Sequence, residues 1–406
     1  MTANGQIRVA TAAGNSSYEV GTGASFAAPQ VSGAVALLAE AFPDLTAPQL
    51  RDRLLATADN GFFPHDGVVE FAPGVAHGYS TEFGHGFLDL RAALLPIGGA
   101  VVPMAQGGAL PLGQVAIVSG AATGDALAQA LGSVPILSTD QLYGRFDVTG
   151  DVLTAQAGRL DAGANALMAA LANASDPWGA TPGGTFLGGQ VTELLDGGEG
   201  LTTSIITAEG LAGLHLARAV DLGQGALRLG LTSLFAEDQF MGITLDAAAG
   251  RIGSQAHALA FDLTHPLAQD AALRLSAEVG LATGWAQGVI SDLDPARFHR
   301  IGLALDRSGV FARGDQLSVF LRQPLVVTAG QARVDLPMQM ADGTIGHTSY
   351  DIGLAPENRQ VDLGFAYQQP LSRAANLSLG LMASENDANT AGKHGLAAFI
   401  GVHFQM

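Results

Sequence analysis

The sequence predicts two fold classes in one chain: a short α/β segment at the N-terminus, followed by a large antiparallel all-β domain that forms a barrel or a barrel-like sheet. Long helical patterns occur only in residues 1–97, whereas apolar and polar residues alternate with a period of two in residues 210–406. Residues 98–209 show neither pattern over a useful length. We interpret them as a mixed connector between the two parts.

Composition narrows the classes of function. The 406 residues include 48% hydrophobic and only 14% charged residues, which is unlike a disordered chain. The formal net charge of −18 and the scattered Lys and Arg residues argue against nucleic acid as a partner, because phosphate binding requires clustered cations. The lack of Cys excludes disulfides and thiolate metal sites. The sequence has no uninterrupted run of 18 apolar residues, so we predict no transmembrane helix.

Two long helices are predicted in the N-terminal segment. The first is an Ala-rich apolar run over residues 29–41. The second covers residues 46–58, because Thr46 and Gln49 have the spacing of a capping box. In the connector, the Ala-rich stretches 121–131 and 161–172 are predicted to form short helices.

The C-terminal half is predicted to contain ten to twelve strands. Turn signals separate the alternating runs, as at Gln269-Asp270, Arg313-Gly314-Asp315 and Ala341-Asp342-Gly343. The clearest alternation is that of Leu227, Leu229 and Leu231; of Leu273, Leu275, Ala277, Val279 and Leu281; of Val361, Leu363, Phe365 and Tyr367; and of Leu396, Ala398, Ile400, Val402 and Phe404.

One short string carries a candidate catalytic residue. Residues 21–33 read Gly-Thr-Gly-Ala-Ser-Phe-Ala-Ala-Pro-Gln-Val-Ser-Gly, which places Ser25 after two glycines and at the start of an apolar helix. The backbone N–H groups of such a helix end favour an oxyanion. The string resembles the nucleophile segment of subtilisin-like (S8) serine peptidases, with Ser25 at the nucleophile position. Gly84, Gly86 and Asp89 also fit the family pattern, so the resemblance covers residues 5–97.

The resemblance implies a remnant of a subtilisin-like α/β domain and a serine endopeptidase that acts on peptides through an acyl-enzyme on Ser25. It also implies a catalytic Asp and His far upstream of the serine, yet the 24 residues before Ser25 contain neither. We therefore expect this chain to be inactive unless a preceding segment completes it. Asn15 is interpreted as part of the loop that leads into the nucleophile, and His65, His77 and His85 as loop or packing residues. No cofactor or metal set is predicted.

The β domain has two interpretations. A subtilase segment followed by a long β region resembles protease autotransporters, which implies a secreted or outer-membrane protein of a Gram-negative bacterium, with the outer membrane as a partner. The peptidase segment could then be vestigial and the β domain a translocator or anchor. The other interpretation is a soluble sandwich or barrel, including a soluble binding module.

The two interpretations predict opposite orientations of the same residues. In a membrane barrel the apolar set faces lipid and the polar set faces the lumen, whereas in a soluble domain the apolar set faces inward. The apolar set is Leu227, Leu229, Leu273, Leu275, Val361, Leu363 and Phe365, and the polar set is Arg228, Arg274 and Asp362.

Overall fold

The structure is a computed structural model that describes residues 1, 3, 5–156, 190–196, 200–208, 210–372 and 375–404. The chain divides into two compact units. The first unit comprises residues 1–114, 135–148 and 337–348, and the second comprises residues 115–134, 149–336 and 349–406. The domain boundaries predicted at residues 97 and 209 stay a prediction. Within the described ranges, no helix is both long and apolar enough to cross a membrane.

The described elements are mostly strands. The α-helices are α1 (Ala24–Ala41), α2 (Ala47–Ala56), α3 (Leu90–Leu94) and α4 (Ala126–Leu131). The strands are β1 (Gln6–Ala10), β2 (Tyr18–Thr22), β3 (Gly67–Ala72), β4 (Val75–Tyr79), β5 (Val101–Pro103), β6 (Ala109–Pro111), β7 (Ile117–Ser119), β8 (Pro135–Thr139), β9 (Arg145–Thr149), β10 (Thr154–Gln156), β11 (Gln190–Asp196), β12 (Leu201–Ala208), β13 (Leu211–Asp221), β14 (Ala226–Ala236), β15 (Thr244–Leu245), β16 (Gly250–Ala268), β17 (Ala271–Gly288), β18 (Ile290–Leu293), β19 (Ala296–Ser308), β20 (Gln316–Ala329), β21 (Gln331–Gln339), β22 (Ile345–Gly353), β23 (Val361–Ser372), β24 (Ala375–Glu385) and β25 (His394–Phe404).

Both long helices of the first unit are present. Helix α1 starts at Ala24, so Ser25 lies at its start and the apolar run predicted over residues 29–41 is its later part. Pro29 lies in the second turn of the helix. Its missing N–H removes one intrahelical hydrogen bond there. The capping box of α2 is confirmed, since the backbone N–H of Thr46 donates to Gln49 Oε1 at 2.8 Å.

The core of the first unit lies where the three N-terminal helices meet. One stripe of α1 packs against α2, α3 and the loop that follows α1, while Leu37 on the opposite side is 51% exposed. The buried cluster consists of Ala34, Leu38, Phe42, Leu50, Leu54 and Ala93.

A buried ion pair joins α2 to residues that follow much later in the chain. The Arg53 guanidinium donates from Nη1 to both carboxylate oxygens of Asp140, at 3.0 and 2.7 Å, and both side chains are fully buried. Its remaining N–H groups donate to the carbonyl oxygens of Ala93 and Leu95. The carboxylate also accepts the backbone N–H of Ile97 at 2.9 Å. Both buried charges are therefore satisfied, as burial requires.

The second unit is built on one antiparallel sheet of 11 described strands. Nine of them, from β13 onward, have 11 residues or more, about twice the usual length of a strand. The order is β11-β12-β13-β14-β16-β17-β19-β20-β23-β24-β25. This confirms the predicted large antiparallel sheet. Within the described residues, β11 and β25 end the order and are not paired with each other, so no closed barrel is formed there.

The apolar face of this sheet is the exposed one. Leu229, Val361, Leu363 and Phe365 are exposed, with Leu363 at 59%. Leu227, Leu273 and Leu275 on the same face are partly exposed. Of the predicted polar set, Asp362 is fully buried, Arg274 is half-buried and Arg228 is exposed.

The opposite face is enclosed, and it carries polar side chains among buried alanines and phenylalanines. Its buried side chains include Thr232, Glu278 and Asp362. The charges are paired between neighbouring strands, with Arg300 Nε 2.6 Å from Glu278 Oε2 and Arg322 Nε 2.9 Å from Asp362 Oδ2. Each of these two buried carboxylates therefore has an arginine partner on the adjacent strand.

A chain of hydrogen bonds leads from the enclosed face to the connection between β24 and β25. Asp362 accepts from the Gln360 side chain at 2.6 Å, and the Gln360 backbone N–H donates to Asn389 Oδ1 at 2.7 Å. Asn389 Nδ2 in turn donates to the carbonyl oxygen of Ala121 at 2.6 Å. The preceding Ala388 has φ 55°, a left-handed conformation that costs a residue with a Cβ atom about 1 kcal/mol or more.

The predicted connector contains more structure than expected. Only the second half of the helix predicted over residues 121–131 forms, as α4. The helix predicted over residues 161–172 lies outside the described residues. Strands β11 and β12 of the large sheet also precede residue 210. They were not predicted, because their sequences lack a clear alternation of apolar and polar residues.

We predict that Asp140→Ala lowers the free energy of unfolding of the first unit by about 3–5 kcal/mol, because Arg53 is left charged and unpaired in the core. The measurement is denaturant unfolding of the full chain, with amide exchange in α2 as the local readout. Asp52→Ala is the control on the same helix. It breaks an exposed pair with Arg51, and we expect a change within about 1 kcal/mol. Equal effects of the two variants would contradict the prediction.

Candidate active site

The segment before Ser25 forms a hairpin. Strand β1 pairs with β2, and the turn between them is closed by the Ser17 N–H donating to the Gly14 carbonyl oxygen at 3.2 Å. Asn15 is exposed at the tip of this turn. The structure therefore places it in the loop that leads into the nucleophile segment, as the sequence predicted.

The two glycines of the motif have separate structural roles. A Cβ atom on Gly21 would lie 2.8 Å from the Phe26 ring and 3.1 Å from the Val9 side chain, so a larger residue would push the hairpin away from α1. Gly23 has φ 159° and ψ 152°, a conformation that is largely restricted to glycine, and its N–H donates to the Gly5 carbonyl oxygen at 2.8 Å. The contact between Gly21 and Phe26 was not predicted from the sequence.

Ser25 lies in the first turn of α1 and is exposed. Its position beside the free N–H groups of a helix N-terminus is favourable for a developing negative charge. Within the described residues, no histidine or carboxylate is hydrogen-bonded to its hydroxyl. Within the described residues, Ser25 thus lies at a helix N-terminus without a hydrogen-bonded base, and its catalytic role stays a prediction.

Three histidines of the first unit, His65, His77 and His85, have local packing roles. His65 Nε2 is 3.3 Å from the Asn60 carbonyl oxygen, and His77 Nε2 is 2.9 Å from the His85 carbonyl oxygen. The rings of His77 and His85 stack with centroids 5.5 Å apart. Burial, then the neighbouring His77 and the N-terminal amine, lower the pKa of His85. His85 is therefore neutral at pH 7 and contributes to packing.

The second family motif also has a structural explanation. Gly86 has φ 105°, and a Cβ atom there would lie 2.0 Å from the Asp59 carbonyl oxygen, so only glycine allows this close approach. Asp59 and Phe87 exchange two backbone hydrogen bonds of 2.8 Å at this point. Asp89 caps α3 by accepting the Ala92 N–H at 2.9 Å.

Neither a metal site nor a cofactor site emerges from the described part of the chain. In those ranges, no group of three or more His, Asp or Glu residues is arranged to hold a metal ion.

Comparison with protein families matches residues 2–86 to the model of the subtilase family. The match covers the hairpin, the nucleophile segment, α1, α2 and the β3–β4 hairpin, which supports the interpretation of this part as a fragment of a subtilisin-like serine peptidase. A search of curated proteins found no match to the chain.

We predict that the stability of the β3–β4 region falls between pH 7 and pH 5, and that His85→Gln reduces this fall. The folded pKa of His85 is below its usual value, so as pH falls the unfolded chain takes up the proton first and the folded state loses relative stability. The measurement is amide exchange of β3 and β4 across this pH range. His65→Gln, at an exposed position, is the control. An unchanged pH dependence in His85→Gln would show that another group causes it.

Proposed function

We propose that this chain is the C-terminal portion of a subtilisin-like serine endopeptidase and that it is inactive by itself. Peptide-bond hydrolysis through an acyl-enzyme on Ser25 would require a preceding segment that supplies an Asp and a His, and the substrate would then be a peptide or protein. The observation that carries the proposal is the subtilase match around Ser25 combined with the lack of a hydrogen-bonded base in the described residues.

The chemistry of serine explains the expected inactivity. A serine hydroxyl is a weak nucleophile until an adjacent base takes its proton, and the base must be held by a third group. In subtilisin, loss of the histidine alone lowers turnover by about 10⁶-fold. A well-placed Ser25 with a favourable helix end therefore does not amount to a peptidase.

We expect no labelling of the purified 406-residue chain by a fluorophosphonate probe, which requires an activated serine, and no cleavage of casein. Intact subtilisin in the same assay is the positive control for the reagent. Ser25→Ala should leave the free energy of unfolding within about 0.5 kcal/mol of the wild-type value, because the side chain is exposed. Stoichiometric labelling that is lost in Ser25→Ala would contradict the proposed inactivity.

We also propose that the large sheet is an outer-membrane anchor or translocator of the autotransporter type, with the peptidase segment vestigial or completed by another segment. The supporting observation is the inverted polarity of the sheet, with leucines exposed and charges enclosed. A membrane-spanning strand needs about 9–11 residues, and in the large sheet the nine described strands from β13 onward have at least 11. A soluble protein rarely exposes so continuous an apolar surface. The chain would then be secreted to, or inserted in, the outer membrane of a Gram-negative bacterium.

We predict that Trp285 contacts lipid. It is 55% exposed on the apolar face, and Trp178→Phe leaves it as the only tryptophan. After reconstitution into vesicles, lipids brominated on their acyl chains should quench most of its fluorescence. A matched control moves the tryptophan to the enclosed face, as Trp285→Phe with Phe298→Trp in the same background, and should be quenched little. Strong quenching of the fluorescence of the tryptophan on the enclosed face, or no quenching of that of Trp285, would contradict the membrane proposal.

A further inference from the structure

An apolar groove of about 730 Å³ lies on the exposed face of the large sheet. Outward side chains of β20, β23 and β24 line it, including Val319, Leu363 and Leu381. Ala383 lies opposite Leu363 in the ladder and is smaller than its neighbours, so it leaves space above the sheet. The volume is within the range of small-molecule sites.

The loop between β19 and β20 forms a fixed wall at one end of the groove. Asp315 is fully buried and accepts the backbone N–H groups of Val310, Phe311 and Ala312 at 2.7–2.8 Å. Its Oδ2 atom also accepts the Tyr367 hydroxyl at 3.0 Å. Burial acts to raise the pKa of the Asp315 carboxyl, but these hydrogen bonds outweigh it and hold the pKa below its usual range. The loop is thus organised around an ionised carboxylate.

This loop presents an aromatic ring and a cation together. Phe311 is 77% exposed, lines the groove and contacts the Tyr367 ring edge-on at 5.6 Å between centroids. Two residues later, Arg313 is exposed. At the end of the neighbouring strand, Arg307 is paired with Asp270 at 3.3 Å, whereas Arg313 has no carboxylate partner among the described residues. An apolar groove with an arginine in the adjoining loop matches an amphipathic ligand with an anionic head.

We propose that this groove binds one phospholipid, with an acyl chain along β20, β23 and β24 and the phosphate beside Arg313. The inference rests on the proposed membrane function and adds a specific lipid site to it. Aromatic side chains and arginines are the usual contacts at the level of lipid headgroups, which is where the end of these strands would lie.

The test measures binding of phosphatidylglycerol to the full chain in detergent by native mass spectrometry. We expect about one lipid to be retained by the wild type. Ala383→Trp, which fills the groove, should lower the affinity at least about tenfold, because a filled site loses the apolar contact area. Arg313→Gln should lower it about fivefold, the effect of one cation near an anionic headgroup.

Two control variants lie on the same face but away from the groove. Ala212→Trp adds the same bulk on β13, and Arg218→Gln removes an arginine near the end of that strand, so both should bind the lipid as the wild type does. Inorganic phosphate in large excess should not compete, because the acyl chain supplies most of the contact.

Several results would overturn the inference. Equal retention by Ala383→Trp and Ala212→Trp would show that lipid covers the face without a specific site. Dimers that Ala383→Trp dissociates in light scattering would show that a second copy occupies the groove. If Trp285 is quenched by brominated lipid while these variants bind normally, the lipid site fails and the membrane proposal stands. If the fluorescence of Trp285 is not quenched, both the membrane proposal and the lipid site fail.

Discussion

The pairing of charges across neighbouring strands on the enclosed face is the constraint on which the large sheet depends. Once leucines occupy the exposed positions, strict alternation sends every intervening residue inward, including Glu278 and Asp362. A buried carboxylate without a partner would cost several kcal/mol, and Arg300 and Arg322 on the adjacent strands offset part of that cost. At Glu278 burial still outweighs Arg300 and raises the pKa of the carboxyl. A slip of one residue in register would separate these pairs and turn the leucines inward, so the same ion pairs also specify the register.

Asn389 extends this constraint from the sheet to one of its connections. Asn389 is nearly fully buried, and its side-chain amide bonds to the carbonyl oxygen of Ala121 and to the backbone N–H of Gln360. The side chain of Gln360 in turn donates to Asp362. The left-handed conformations of Ala388 and Asn389 are kept because these hydrogen bonds require them. Asparagine tolerates that conformation well, whereas alanine does not, so the strain is carried at Ala388. The connection is therefore held by contacts rather than by its intrinsic preference.

Local features were predictable from the sequence, and features that depend on distant partners were not. The capping box at Thr46, the long alternating strands and the nucleophile segment were read from neighbouring residues. The place of Pro29 in the second turn of α1 was not predicted, because proline is normally found in a first turn. Alternation alone could not decide which face of the sheet is exposed, because both orientations produce the same pattern. The pairing of Arg53 with Asp140, which are 87 residues apart, had no local signal.

The candidate site shows the same division within a few residues. The position of Ser25 is set by contacts inside one short segment, namely Gly21 against Phe26 and Gly23 against Gly5. These contacts lie within residues 5–26, so they need no other part of a peptidase domain. Reactivity depends on an acid and a base that must come from elsewhere in the fold, as in any triad. The motif around Ser25 is therefore evidence of resemblance to a family and is not, by itself, evidence of activity.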